Sequence, residues 1–330
     1  MKIIEWELGK MKKIVKRILV LAILGTIIVN AGCRERESNM FRSMVTRYRT
    51  PPKITVFIKQ TGKTERMDIE EYLAGVVAGE MKPNWPLEAY AAQAIIARTF
   101  TMEFLSRGGT RKLHGTDIST DETEAQAYNA ANITPVIRRA IRMTRGEVLT
   151  YKNRYVKAWY SASCGGLTTY AKEGLGYRGP EPPYISSVKS PEEEYMPAEE
   201  FYWNTTLTSK EINAALRKMN KPEIGEVKKM KIVERSRTHR AVTLKFIGDK
   251  GSVTVGGADF RVNYGPQKIR SIWISNEIDN RPGAIGIKGR GFGHGVGLSQ
   301  WGAYALAKQN WSPRRIVKHF YPKAKITKIW

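Results

Sequence analysis

Residues 68–100, DIEEYLAGVVAGEMKPNWPLEAYAAQAIIARTF, limit the fold more than any other stretch, because two helical patterns there flank one acidic residue set on an apolar stripe. Ile69, Tyr72, Leu73, Val76 and Val77 recur at helical spacing, and Glu80 is the next position on the same face. Asp68 is a cap with Glu71 at the third helical position, a variant of the capping box, and Gly79 is expected to loosen the helix end. The second pattern opens at Asn84-Trp85-Pro86, with Asn as the cap and Pro in the first turn. Leu87, Ala91, Ala94, Met102 and Leu105 form its apolar stripe, which also carries Arg98. A loop as short as 81–85 folds the helices back on each other and is expected to bring Glu80 and Arg98 into one neighbourhood. A desolvated carboxyl group keeps its proton to higher pH, as a general acid for glycoside cleavage must. The residues alone leave a plainer alternative open, with Glu80 frayed into solvent.

Two glycine-rich runs follow. Ser161-Ala162-Ser163-Cys164-Gly165-Gly166 is a small-residue loop after a strand, where backbone can approach a ligand closely; read alone, it serves as well for a tight turn. Gly289-Arg290-Gly291-Phe292-Gly293-His294-Gly295-Val296-Gly297-Leu298-Ser299-Gln300-Trp301-Gly302-Ala303 fits neither the dinucleotide fingerprint nor the phosphate loop, so a nucleotide site is rejected. It presents Arg290, His294 and Gln300 ahead of a helix expected at 298–309. On chemistry alone His294 is more often a structural hydrogen-bonder than a catalyst.

The remaining pattern predicts an α+β fold, with mixed helices and antiparallel strands around a substrate groove. Hairpins are expected at 54–67 and 147–160, helices at 122–131 and 135–144, and a last helix from Ser312-Pro313 to Pro322. Pro191-Glu192-Glu193-Glu194 reads as a solvated acidic patch. Thr208 and Glu211 form a capping box, and the alternating strands after it suggest a small accessory α/β lobe at about 200–257 within a domain spanning 53–330. Phe260 and Ile269 are read as a return to the main body.

Glu71-Tyr72-Leu73-x-Gly75-Val76-Val77-x-x-Glu80-Met81-x-Pro83, then Trp85-Pro86-x-Glu88-Ala89, Ala92-Gln93-Ala94 and Ala97-Arg98-Thr99-Phe100, together with the two glycine runs, resemble the stage II sporulation protein D family. The resemblance covers residues 54–166 and 260–321. It implies a lytic transglycosylase that cuts the β-1,4 bond between N-acetylmuramic acid and N-acetylglucosamine and leaves a 1,6-anhydro ring, with Glu80 as the catalytic acid. Substrate-binding roles are expected for Gln93, Arg98, Ser161, Ser163, Gly165, Gly166, Arg290, His294 and Gln300. Direct contact with Arg98 would lower the pKa of Glu80, so Arg98 is expected to pair elsewhere or to bind a sugar. Trp85, Trp159, Tyr160 and Trp301 could stack on sugar rings or pack in the core. Expected partners are peptide-stripped peptidoglycan glycan strands and the amidase that strips them, similar to sporulation protein P. Some relatives bind zinc through cysteines after the position of His114. Residues 119–126 contain none here, so neither metal nor cofactor is expected.

The formal net charge of +24 over 330 residues favours polyanionic partners. Lys12, Lys13, Lys16 and Arg17 precede an apolar run at 18–29 and the small residues Ala31 and Gly32, the layout of an export signal, with Met11 the more conventional start. Cleavage before Cys33 with lipidation of its thiol and retention as an uncleaved anchor both fit. Either places the chain on the outer face of the cytoplasmic membrane, with 34–52 as linker. Cys33 and Cys164 are the only cysteines, too few for a disulfide framework. Three other functions are weighed: a non-catalytic wall-binding amidase enhancer, a cysteine hydrolase using Cys164 with His294, and nucleic-acid binding, against which the export signal argues.

Overall fold

A computed structural model describes residues 44–330; the export signal, Cys33 and the linker up to residue 43 lie outside the described residues. Among the described residues no helix is long and apolar enough to cross a membrane.

The fold is mixed α+β. Strands β1 (Lys53–Ile58) and β2 (Lys63–Asp68) form a hairpin that runs directly into α1 (Ile69–Glu80). Asp68 caps α1 by accepting from the Glu70 N–H. After a turn comes α2 (Leu87–Ser106), buried on all sides between Ala89 and Thr99. A helix with no polar face belongs inside a core, and its many alanines let its neighbours come close. The expected Asn84 cap is not used: Asn84 takes a left-handed φ of 64°, and the helix starts at Leu87 behind Pro86 with no side-chain cap. Around α2 pack α1, α3 (Pro135–Met143), β4 (Glu147–Tyr151), α6 (Gln300–Lys308) and α7 (Pro313–Phe320), while β14 (Lys325–Lys328) pairs with β4.

The helix expected at 122–131 does not form. The chain there lies along α1, with the Tyr128 ring over Gly75, where a Cβ would come within 2.2 Å of it. The Asn129 N–H donates to the Gly75 carbonyl at 2.9 Å. Gly79, expected to loosen the helix, instead admits the Ala127–Tyr128 backbone, which a Cβ would meet at 2.7 Å. Tertiary contacts with two helix glycines have overridden local propensity.

Arg98 and Glu80 are not neighbours. Because α1 and α2 run antiparallel, Arg98 reaches the first turn of α1, where its Nη2 and Nε lie 2.5 and 3.2 Å from the Glu70 carboxylate and its Nη1 donates to the Glu147 carbonyl at 3.1 Å. Glu70 and Glu80 lie ten positions apart on α1, about 15 Å along the axis. Glu70 also accepts from the Gly146 N–H and the Trp330 indole, so this pair ties α1 and α2 to the end of the sheet where β4 starts and β14 finishes.

A second core runs from Trp203 to Ile287. It lies under the antiparallel sheet of β8 (Val227–Arg235), β9 (Ala241–Gly248) and β10 (Gly251–Gly256), the sheet of β7 (Tyr202–Thr208), β11 (Ile274–Arg281) and β12 (Ala284–Arg290), and helices α4 (Ser209–Lys218) and α5 (Gly257–Tyr264). The Thr208–Glu211 capping box is present. The lobe is longer than the expected 200–257, because β12 pairs along β7; Phe260 and Ile269 belong to this second core, not to the main body.

Arg98→Met leaves Glu70 half-buried without its cation and should destabilise the protein by about 3–5 kcal/mol in urea unfolding. Glu70→Gln in the same chain should recover part of that loss.

Candidate active site

Glu80 is the last residue of α1 and is half-buried, so it is not frayed into solvent. Its Oε1 accepts two hydrogen bonds at 2.8 Å, from the Ala127 N–H and from the Tyr160 hydroxyl. Oε2 accepts no close hydrogen bond from a described residue, and the Gln300 amide lies beside the carboxyl group. Burial raises its pKa; Tyr160, Ala127 and the nearby Gln300 side chain pull it partly back, and the charge of Glu122 pushes it up. The net shift is upward, as desolvation outweighing hydrogen bonding requires.

Tyr160 is delivered by β6 (Tyr160–Ser161), which pairs in parallel with β13 (Leu298–Ser299). That pairing sets the two glycine-rich runs side by side, and Ser163 and Phe292 exchange backbone hydrogen bonds at 2.9 Å. Gly293 sits at φ 115°, where a Cβ would strike Ser161 at 2.5 Å, so the approach demands glycine there.

The seam is held by a residue assigned no role in the sequence. Glu192, read as part of a solvated patch, is completely buried. Its Oε1 accepts from the Ser163 hydroxyl and the Gly165 N–H, both at 2.6 Å, and from the Gly166 N–H at 3.2 Å. Its Oε2 accepts from the Ser190 hydroxyl at 2.8 Å and from the Ser299 hydroxyl. Pro191 and Ser190 could have signalled the inward turn that carries Glu192; the three consecutive glutamates hid it.

The other expected residues divide into groups. Ser163, Gly165 and Gly166 donate to Glu192, which fixes the loop that carries them. Ser161 is buried and its hydroxyl accepts from the Gly295 N–H at 3.3 Å. Of the two expectations for Arg98, pairing elsewhere is the one observed: it is fully buried on Glu70. His294 stays by the site: its Nδ1 accepts from the Val296 N–H at 3.0 Å, and burial, followed by the Arg261 charge, lowers its pKa to about 3. Near neutral pH it is therefore an uncharged ring protonated at Nε2. Arg290 stacks on Trp273 at 3.8 Å and remains partly exposed. Gln93 and Gln300 are buried, and Gln93 Nε2, Gln93 Oε1 and Gln300 Nε2 have no hydrogen-bond partner among the described residues. Trp85 and Trp301 pack on each other and on Tyr304, and Trp159 packs on Tyr177.

The cysteine hydrolase alternative fails on geometry. Cys164 is buried, burial followed by the Glu192 charge drives its pKa upward, and the Nδ1 lone pair of His294 is already taken. His114 stacks on Phe57 and bonds Glu124 at 2.9 Å.

A sequence model described as Stage II sporulation protein matches residues 58–151, and one described as a domain of unknown function matches residues 183–297. The chain is 31% identical to a Brachyspira hyodysenteriae protein whose name states no function, over 77% of this chain and 65% of that one. It is 30% identical to stage II sporulation protein D of Bacillus amyloliquefaciens, over 82% of this chain and 78% of that protein. It is 24% identical to the amidase enhancer of Bacillus subtilis, over 77% of this chain but 40% of the relative.

Glu192→Ala strips several buried donors of their acceptor at once, and hydrogen bonds to a charged group contribute about 1.5–3 kcal/mol each. The variant should lose more than about 3 kcal/mol in urea unfolding. Its Cys164, buried in the wild type, should become alkylated by iodoacetamide at native pH, whereas the wild-type Cys164 should not.

Proposed function

We infer the chemistry from one premise: this chain belongs to the stage II sporulation protein D family. On that premise it acts on the cell wall, and the reading proposed is a lytic transglycosylase that cleaves the bond between N-acetylmuramic acid and N-acetylglucosamine in glycan strands. The observation that carries it is the carboxyl group of Glu80, held through Oε1 with its pKa raised and with Oε2 left for a ligand.

Glu80 gives its proton to the glycosidic oxygen as the bond to C1 breaks. The carboxylate so formed takes the proton of the muramic acid 6-hydroxyl, whose oxygen bonds to C1 and closes the 1,6-anhydro ring. One carboxyl group serves both steps and ends as it began. Hydrolysis by water ordinarily needs a second carboxyl group at a set separation. Glu122, the further carboxylate whose charge Glu80 feels, is exposed at the surface, which favours the intramolecular route. Gln300, beside the carboxyl group with its Nε2 unpaired among the described residues, is the proposed sugar contact, and partly exposed Arg290 is a further donor.

The proposed substrate is glycan already stripped of peptides, which makes a peptidoglycan amidase the proposed partner. The proposed location is the cell envelope, with the N-terminus holding the chain at the outer face of the membrane. The likeness to the amidase enhancer favours one second reading, a non-catalytic wall-binding protein that stimulates the amidase.

Amidase-treated peptidoglycan incubated with the full chain should release fragments with anhydro-muramic ends by mass spectrometry. Glu80→Ala should reduce that release by roughly a hundred- to ten-thousand-fold, the usual worth of a general acid. Because the acid must be protonated, wild-type activity should fall as pH rises through the raised pKa of Glu80. Absence of anhydro ends from the wild type, with wall binding and amidase stimulation retained, would replace this reading with the enhancer.

A further inference from the structure

The hydroxyl of Tyr160 has one proton and two acceptors. It lies 2.8 Å from Glu80 Oε1 and 3.2 Å from Gln126 Oε1. Gln126 is almost completely buried, and its amide is oriented from behind, Nε2 donating to the Thr101 hydroxyl on α2 at 3.0 Å. With Nε2 so engaged, the amide turns its oxygen to Tyr160. Two oxygens therefore compete for one phenolic proton, and the competition depends on the state of Glu80. A neutral carboxyl oxygen is an acceptor comparable to an amide oxygen, whereas a carboxylate is much stronger.

We propose that Gln126 is a positioning residue for the acid, giving the Tyr160 proton a second resting place while Glu80 is protonated and releasing it to Oε1 when Glu80 ionises. This rests on the reading of Glu80 as the acid. When Oε2 passes its proton to the leaving oxygen, the Tyr160 O–H turns from Gln126 to Oε1 and bonds the new carboxylate. When the carboxylate takes the proton of the attacking hydroxyl, the O–H turns back. The bonds exchanged are hydrogen bonds only, and Tyr160 keeps its proton throughout. Because the carboxylate gains Tyr160 only at the expense of the Gln126 bond, Gln126 keeps Glu80 a weaker acid than Tyr160 alone would make it.

The groups that face this carboxyl come from each neighbouring element. They are Tyr72 on α1, Glu122 and Gln126 with the Ala127 N–H from the segment along α1, Tyr160 on β6 and Gln300 on α6. Tyr160 itself stays protonated, since burial, then the Glu80 charge, drives its pKa up.

The test is a pair of titrations on the full-length chain in detergent. Glutamate is labelled with 13C at its side-chain carboxyl, and Glu80→Gln identifies the Glu80 signal. In Gln126→Met the Tyr160 proton has only Oε1 to serve, so the midpoint of Glu80 should fall by about one pH unit. The alkaline limb of transglycosylase activity should move down with it. Thr101→Val, which frees the amide to turn, should shift the midpoint the same way by less, and Tyr160→Phe should shift it up. An unchanged midpoint in folded Gln126→Met overturns the proposal, and so does a rise, which would mean that the amide nitrogen faces Tyr160. If the wild type forms no anhydro ends at any pH, the reading of function fails, while the carboxyl titration still decides whether Gln126 sets the proton on Glu80.

Discussion

A carboxylate sealed from water must be met by donors, and Glu192 meets that demand by drawing two distant stretches of chain to its own segment. Ser163, Gly165 and Gly166 come from the first glycine loop, Ser190 from the segment before it, and Ser299 from the cap of α6. Ser299 also accepts from the Gly302 N–H, so the start of α6, and with it Gln300, is referred to the same carboxylate. The lobe is tied in by a cation from the other side. Arg240, fully buried, leaves the β8–β9 turn and donates to the Cys164 and Leu167 carbonyls at 2.7 and 2.8 Å. Its burial depresses its pKa to about 10, still far above neutrality, so a charged guanidinium faces the loop that Glu192 holds.

Glu80 is positioned by a different device, the two glycines of α1. Without Cβ atoms at 75 and 79 the segment around Ala127 and Tyr128 can lie against the helix, and that contact places a backbone N–H at Glu80 Oε1. A helix end is otherwise an awkward place for a carboxylate, because the unpaired carbonyls there carry partial negative charge. The Ala127 N–H and Tyr160 hydroxyl supply the opposite polarity, yet burial still outweighs them. The balance leaves a group that can hold a proton and then tolerate losing it.

Local pattern was legible where one element decides its own geometry. The β1–β2 hairpin, α1 with its Asp68 cap, α3 and the capping box of α4 are all written in adjacent residues. What could not be read was anything decided by two elements at once. Glycines in a helix look like weak points until the segment that needs them is known. Glu192 looks like one of three surface acids until its backbone turns inward. Arg98 falls near Glu80 in sequence patterning but meets Glu70, because antiparallel packing reverses which end of α1 it sees. The lobe boundary was misplaced for the same reason, since the pairing of β7 with β12 joins residues far apart in the chain.

The histidine, tyrosine and cysteine at the two glycine-rich runs are poorly placed to trade protons. His294 could serve as a base only through a free ring nitrogen, and its Nδ1 is occupied by the Val296 N–H while its Nε2 carries the proton. A pKa near 3 also means that protonating it costs too much for it to act as an acid near neutrality. Tyr160 and Cys164 are pushed up by burial and stay protonated. In the proposed reaction, giving a proton and then taking one therefore both fall to a single carboxyl group. That requirement suits a substrate carrying its own nucleophile better than one that waits for water.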